Sequence, residues 1–160
     1  MILVTVGSQK FQFDRLLKKI DELIEEKKLK DNVFAQIGNS NYLPKNYEWV
    51  KFLDRDAFQE KIEEADIIIT HGGTGVIIKS LKLGKKIIVV PRQKKFNEHV
   101  DDHQLQIAKE FDGKFVETVL DIEELEEKIE SIRTKKVDKY VSNTNIIIDS
   151  IKEYIESVIK

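Results

Sequence analysis

Between residues 65 and 108 the sequence alternates in a way that leaves few folds open. A β-branched run at residues 67–70, IIIT, leads into the glycine turn His71-Gly72-Gly73-Thr74-Gly75. Helical spacing follows from Gly75 to Leu83, then a second run at residues 87–90, IIVV. Beyond it lies a polar loop carrying Pro91, Arg92, Asn97, His99, Asp102, His103 and Gln104. Apolar runs of this length joined through a helix read as two parallel strands of a βαβ unit, buried on both faces. In an open parallel sheet, ligands bind past the carboxyl ends of the strands. The stretch therefore sends a glycine turn and a polar loop to one edge.

The rest of the chain repeats the pattern. Residues 2–6 form an apolar run ended by Gly7, and Gly7-Ser8-Gln9 turns into a helix predicted over residues 11–28. Phe13, Leu16, Leu17, Ile20, Leu23 and Ile24 give that helix one apolar face. Residues 33–37 make a second strand and residues 49–53 a third. Asp56 is placed to cap a helix over residues 57–64. After the strand at 87–90 come a helix over 99–111, a weak edge strand at 114–116 and a helix over 122–132. Gly84 marks a left-handed helix stop. Residues 137–145 are ambiguous, and residues 146–159 carry Ile147, Ile148, Ile151, Tyr154, Ile155 and Val158 at helical spacing. The fold expected is α/β: one domain over residues 1–160, a Rossmann-like, doubly wound parallel sheet of about six strands. The terminal segment 136–160 reads equally as core or as a docking surface for a partner.

Composition narrows the function classes. At 160 residues, with 41% hydrophobic and 35% charged residues, the chain suits a single core. A net charge of −2 gives no electrostatic reason for nucleic-acid binding. With no cysteine there is neither a disulfide nor a thiolate metal site, which fits a reducing cytoplasm. The apolar runs are far too short to span a bilayer, so membrane association is expected to be peripheral or through a partner.

Two features carry candidate chemistry. A glycine turn that opens a helix lets an anion approach the backbone and meet free N–H groups at the positive end of the dipole. The turn at residues 71–75 is neither a P-loop nor a dinucleotide fingerprint, since no Gly-Lys-Ser/Thr follows and the GxGxxG spacing is absent. A ligand-free tight turn is the plainer alternative. In a 3-2-1-4-5-6 sheet, however, the turn at Gly7 would face the same crevice. The segment Glu98-His99-Val100-Asp101-Asp102-His103-Gln104 holds two histidines four residues apart, without the HExxH pattern or an obvious third ligand. Polar ligand binding fits it better than a metal site.

Four motifs together resemble a known family. They are Thr5-Val6-Gly7-Ser8-Gln9, Phe52-Leu53-Asp54, His71-Gly72-Gly73-Thr74-Gly75, and the pattern of Gly84-Lys85-Lys86, Val89-Val90-Pro91-Arg92 and His103-Gln104 ending at Ala108. Over roughly residues 1–132 the chain resembles the glycosyltransferase family 28 C-terminal domain, the nucleotide-sugar-binding half of GT-B enzymes. Within the family it is most similar to stand-alone short members. These include donor-binding subunits of bacterial exopolysaccharide or capsule transferases. They also include the catalytic subunit of the two-subunit UDP-N-acetylglucosamine transferase of dolichol-linked glycan synthesis.

The resemblance implies a UDP-sugar donor as substrate, with no cofactor and no metal. Gly7 and Ser8 would border the diphosphate or sugar, and the backbone near Leu53 would read the uracil edge. His71, Gly72, Gly73, Thr74 and Gly75 would hold the diphosphate, while Gln104, with His103 or Asp102, would bind sugar hydroxyls. Many relatives carry a glutamate for the ribose hydroxyls where this chain has Lys79. The implied activity is that of a split inverting glycosyltransferase, transferring a hexose or N-acetylhexosamine to a lipid-linked acceptor. A membrane-associated partner would supply the N-terminal half at the inner, cytoplasmic face, and self-association would be open to the chain without it. No residue is an evident general base; His99 and His103 are the fallbacks. The alternatives are a non-catalytic subunit that stabilises a partner transferase, and a small nucleotide-binding enzyme unrelated to sugars.

Overall fold

The computed structural model describes residues 1–112 and 116–134. Its frame is a six-stranded sheet, all parallel: β1 (Ile2–Thr5), β2 (Val33–Gln36), β3 (Glu48–Val50), β4 (Ile67–Thr70), β5 (Lys86–Val89) and β6 (Val116–Thr118). The spatial order is β3-β2-β1-β4-β5-β6, as expected for a doubly wound sheet. β1 pairs with β2 through Ile2 opposite Val33 and with β4 through Ile2 opposite Ile67. The strand order reverses between β1 and β4.

The strands read as unbroken apolar runs because helices cover both faces. Alternation along the strands sorts their side chains. Ile2, Val4, Ile67, Ile69 and Ile88 pack with Leu16, Leu17 and Ile20 of α1 (Asp14–Glu25) and with Leu125, Ile129 and Ile132 of α5 (Leu125–Thr134). Leu3 and Ile68 meet Ile62 of α2 (Arg55–Glu64) on the other face. There, too, Ile87 and Val89 meet Ile77 of α3 (Thr74–Lys82) and Ile107 of α4 (His103–Phe111).

Several element ends differ from the sequence expectation. α1 begins at Asp14 rather than residue 11, because the Phe13 amide donates to Ser40 Oγ (3.0 Å) and the Phe11 and Gln12 carbonyls accept from Arg92. Lys27, with φ +61°, follows its last turn. β3 starts one residue earlier and ends at Val50 instead of residue 53. α2 is capped by Asp54, which accepts from the Ala57 amide at 2.8 Å, not by Asp56. α4 begins at His103 rather than residue 99. Ahead of it come a 3-10 turn (Lys94–Phe96), Asn97 in the left-handed region, and a loop in which Asp101 and Asp102 accept backbone amides. Residues 114–115 of the expected edge strand lie outside the described residues, β6 runs on to Thr118, and a 3-10 turn (Ile122–Glu124) precedes α5. Gly84, at φ +69°, follows α3 as the expected left-handed stop. The ambiguous segment 137–145 and the apolar helix expected at 146–159 lie outside the described residues. No described helix is long and apolar enough to cross a membrane.

The connection from β2 to β3 is organised by one buried acid. Asp21, 3% exposed, accepts from Tyr42 Oη (2.6 Å) and from the Lys45 and Asn46 amides (2.8 and 2.9 Å). Burial raises its pKa, but these donors outweigh it and hold the carboxyl below the usual range. Asp21→Ala is expected to cost about 2–3 kcal/mol by leaving three donors without their acceptor. Urea unfolding at neutral pH measures this. A loss under about 0.5 kcal/mol would show that the loop holds its shape without the acid.

Candidate functional site

The buried polar side chains are concentrated at one edge of the sheet. Thr5 and Gln36 end β1 and β2, Thr70 ends β4 and Thr118 ends β6; His71, Arg92, Gln93 and Glu98 lie in the loops just beyond, and Gln104 in the first turn of α4. This is the carboxyl edge, and the reversal between β1 and β4 opens its crevice there. Thr5 Oγ1 donates to Gln36 Oε1 (2.7 Å), and Gln36 Nε2 donates to the carbonyls of Gly7 (3.0 Å) and Lys51 (2.9 Å). The turn after β1 is thus fastened from below.

The two glycine turns meet at a single imidazole. A Cβ built on Gly7 would lie 2.6 Å from His71 Nε2, and one on Gly73 would lie 2.3 Å from His71 Cε1. The ring of His71, 5% exposed, therefore occupies space that both residues leave by having no side chain. Gly7 also needs its glycine for φ +78°. Burial first, and the charge of Arg92 second, push the His71 pKa down to about 4, so the ring is neutral at pH 7. Thr70 Oγ1, His71 Nδ1 and Arg92 Nε are buried with no hydrogen-bond partner, all at this edge. Such groups call for an explanation, and a ligand-binding edge supplies one.

α3 starts beside this ring. Its N-cap, Gly73, has no side chain to accept from the first turn, so the amides of Thr74, Gly75 and Val76 have no capping acceptor. A Cβ on Gly75 would meet nothing within 4 Å. Open space over uncapped donors at the positive end of a helix is suited to an anion. Gly72 differs from its neighbours. Its amide donates to Gln104 Oε1 (3.0 Å), and a Cβ there would strike Gln104 Cβ at 2.7 Å.

Gln104 Oε1 also accepts from the Arg92 amide (3.1 Å), so one side-chain oxygen ties the ends of β4 and β5 to the start of α4. The amide nitrogen of Gln104 takes no part in either bond. Asp102 is occupied at Oδ1 by the Lys94 amide (2.9 Å). The His103 amide donates to Asp101 Oδ1 at 2.9 Å. His99 Nδ1 lies 3.0 Å from the same Asp101 oxygen, and its ring sits 5.7 Å from that of Phe11. Among the described residues, no group of three or more His, Asp or Glu side chains is arranged to hold a metal.

The structure thus brings Gly7, His71, Gly72, Gly73 and Gln104 into one packed cluster, with Thr74 and Gly75 at its rim. Ser8 is exposed beside it. Leu53 lies just before the N-cap of α2. Lys79, on α3, leans toward the same helix, with Nζ 5.9 Å from the Phe58 ring centre. Sequence reasoning missed the part played by Arg92, Glu98 and Arg15. Arg92 is fully buried and donates to the carbonyls of Val6, Phe11 (3.1 Å), Gln12 (3.2 Å) and Glu98 (3.1 Å). Glu98, also fully buried, is gripped by Arg15 through two bonds of 2.9 and 3.0 Å. The available signal was a charged residue at the end of the buried run Val89-Val90-Pro91-Arg92.

The profile of the glycosyltransferase family 28 C-terminal domain matches residues 1–158. The chain is 33% identical over 118 residues to UDP-N-acetylglucosamine transferase subunit ALG13 of Homo sapiens, covering 68% of this chain and 10% of that protein. It is 28% identical over 111 residues to a Streptococcus pneumoniae protein, UDP-N-acetylglucosamine--N-acetylmuramyl-(pentapeptide) pyrophosphoryl-undecaprenol N-acetylglucosamine transferase. That match covers 67% of this chain and 31% of the relative, so the chain spans a minor part of either protein. A solution structure of ALG13 has the same fold, with a TM-score of 0.52 at 19% identity and 86% of each chain covered.

Proposed function

Because the chain belongs to the glycosyltransferase family 28 C-terminal domain family, we propose that it is the UDP-sugar-binding subunit of a split inverting glycosyltransferase. The observation that carries this reading is the stack of Gly7, His71 and Gly73 beside the uncapped start of α3. The diphosphate of the donor lies over the amides of Thr74, Gly75 and Val76, and the nucleoside extends toward Leu53. The sugar faces Gln104, with Asp102 and His103 nearby. Transfer breaks the bond between the sugar carbon and the diphosphate oxygen, while an acceptor hydroxyl forms the new bond from the opposite face. Charge gathers on the departing diphosphate, where fixed N–H groups stabilise it without reorganising. The hydroxyl proton passes to a general base. His71, neutral and enclosed, is not placed for that, and the base comes from the partner subunit; His99, beside Asp101, is the fallback, with His103.

The sugar is a hexose or N-acetylhexosamine and the acceptor is lipid-linked, in exopolysaccharide or capsule synthesis. The names of both relatives, each an N-acetylglucosamine transferase and one with an undecaprenol acceptor, support the N-acetylhexosamine and the lipid-linked acceptor. The partner is membrane-associated and holds the acceptor, so the chain works at the cytoplasmic face of the membrane; without it, the half-cleft favours self-association. UDP-sugar enters as substrate, and no cofactor takes part. The second reading, a non-catalytic stabilising subunit, draws on Lys79, which offers ribose hydroxyls a donor but no acceptor.

Calorimetric titration of UDP into the purified chain is expected to give saturable binding. Transfer is expected only once a co-purified partner is added. Absence of UDP binding, with the partner active alone, would establish the stabilising role instead. Rapid turnover by the chain alone would contradict the split enzyme.

A further inference from the structure

The edge that receives the donor contains a buried charge that the mechanism above does not use. Arg92 is 0% exposed, and among the described residues it forms no ion pair with a carboxylate. Its two terminal nitrogens donate to backbone carbonyls on two segments, while Nε–H has no partner among the described residues. Val6, Phe11 and Gln12 belong to the chain after β1, and Glu98 to the loop after β5. The nearby carboxylate of Glu98 is turned away: both its oxygens accept from Arg15, and Oε1 also accepts from the Gln93 amide at 3.1 Å. Arg15, Glu98 and Arg92 thus bring two positive charges against one negative. Burial lowers the Arg92 pKa to about 10, opposed by Glu98, and the group stays charged at pH 7. Carbonyl oxygens solvate a guanidinium but do not cancel its charge, and a net charge in a region of low permittivity acts over a longer range than one in water.

We propose that Arg92 is a positioning and selectivity residue. It joins the two segments that wall the crevice and leaves an unneutralised positive charge beneath it, so that the site favours a diphosphate over an uncharged nucleoside. The proposal rests on the donor-site reading above. Arg92 touches no part of the donor. It acts through the Val6 carbonyl, one residue before Gly7, and through its field, which also bears on His71.

The test is the ratio of UDP to uridine affinity, measured by calorimetry on the full chain. Uridine shares the nucleoside contacts and carries no phosphate, so a loss confined to folding or crevice shape moves both ligands together. Arg92→Gln is expected to lower the ratio about tenfold. Arg92→Lys, which keeps the charge but loses the fork to the carbonyls, is expected to hold the ratio near wild type while unfolding earlier. Glu98→Gln, nearly the same shape as the native side chain, removes the negative charge and is expected to raise the ratio several-fold. It keeps the test alive if Arg92→Gln does not fold. An unchanged ratio in Arg92→Gln or in Glu98→Gln, or equal losses in the lysine and glutamine variants of Arg92, would overturn the proposal. A wild-type chain that binds uridine and UDP alike would overturn it too, while the nucleoside site would stand. If neither bound, the donor-site reading itself would fail, and this inference with it.

Discussion

Gly7→Ala is expected to destabilise the chain by about 3–5 kcal/mol and to remove UDP binding, whereas Gly75→Ala leaves the fold intact and weakens binding alone. At Gly7 two penalties coincide. A side chain at φ +78° costs about 1–2 kcal/mol, and the new methyl would lie 2.6 Å from His71 Nε2. On its far side the ring already fills the space of the missing Gly73 Cβ, which would lie 2.3 Å from His71 Cε1, so it cannot yield that way. Relief therefore needs the turn after β1 or the start of α3 to move, and each is part of the crevice. Gly75 lacks both penalties: it lies in the first turn of α3 and its Cβ would meet nothing within 4 Å. Alanine there gains up to about 1 kcal/mol of helix propensity. The same methyl fills the open space over the Thr74 and Val76 amides, so UDP affinity falls even though stability does not. Urea unfolding together with UDP titration of both variants separates these effects. Unchanged UDP affinity in Gly75→Ala would move the diphosphate away from α3.

The contrast shows which features the residues could announce in advance. β4 and the core of β5 were legible because residues buried on both faces leave an unbroken apolar run. The 3-2-1-4-5-6 order and the convergence of the Gly7 and Gly73 turns followed from strand–helix alternation. What the sequence hid was long-range polar bonding. The Phe11 and Gln12 carbonyls, which a helix would have used, are taken by an arginine 80 residues or more along the chain. The start of α4 moved four residues because Asp101 and Asp102 turned their carboxylates to backbone amides. Gln104 was legible as a candidate but not as a tie between strand ends, since neither the Gly72 nor the Arg92 amide signals its acceptor in sequence. Local periodicity finds elements; it does not find the side chain that ends one by bonding to another.

Lowering the pH from 7 to 4 is expected to cost the fold about 3 kcal/mol through His71 alone. Its ring titrates near 6.5 in the unfolded chain and is pushed down to about 4 in the folded one, chiefly by burial. Between those values the unfolded chain binds a proton that the folded chain refuses, so acid favours unfolding. Stability is thus fullest above about pH 6.5, falls as the pH drops through the window, and levels off for this group below about pH 4. His71→Asn removes the titration at the price of some packing, so its stability is lower at pH 7 but changes less with pH over that range. The difference between the two pH slopes isolates the ring from the carboxylates, which titrate in both chains. Equal slopes would mean that His71 is hydrated and not enclosed between the glycines. A bound diphosphate acts in the opposite sense, because an anion beside the imidazole favours its protonated form. Saturating UDP should therefore shallow the acid slope of the wild-type chain and leave that of His71→Asn nearly unchanged, which ties the buried ring to the anion by a measurement that needs no partner subunit.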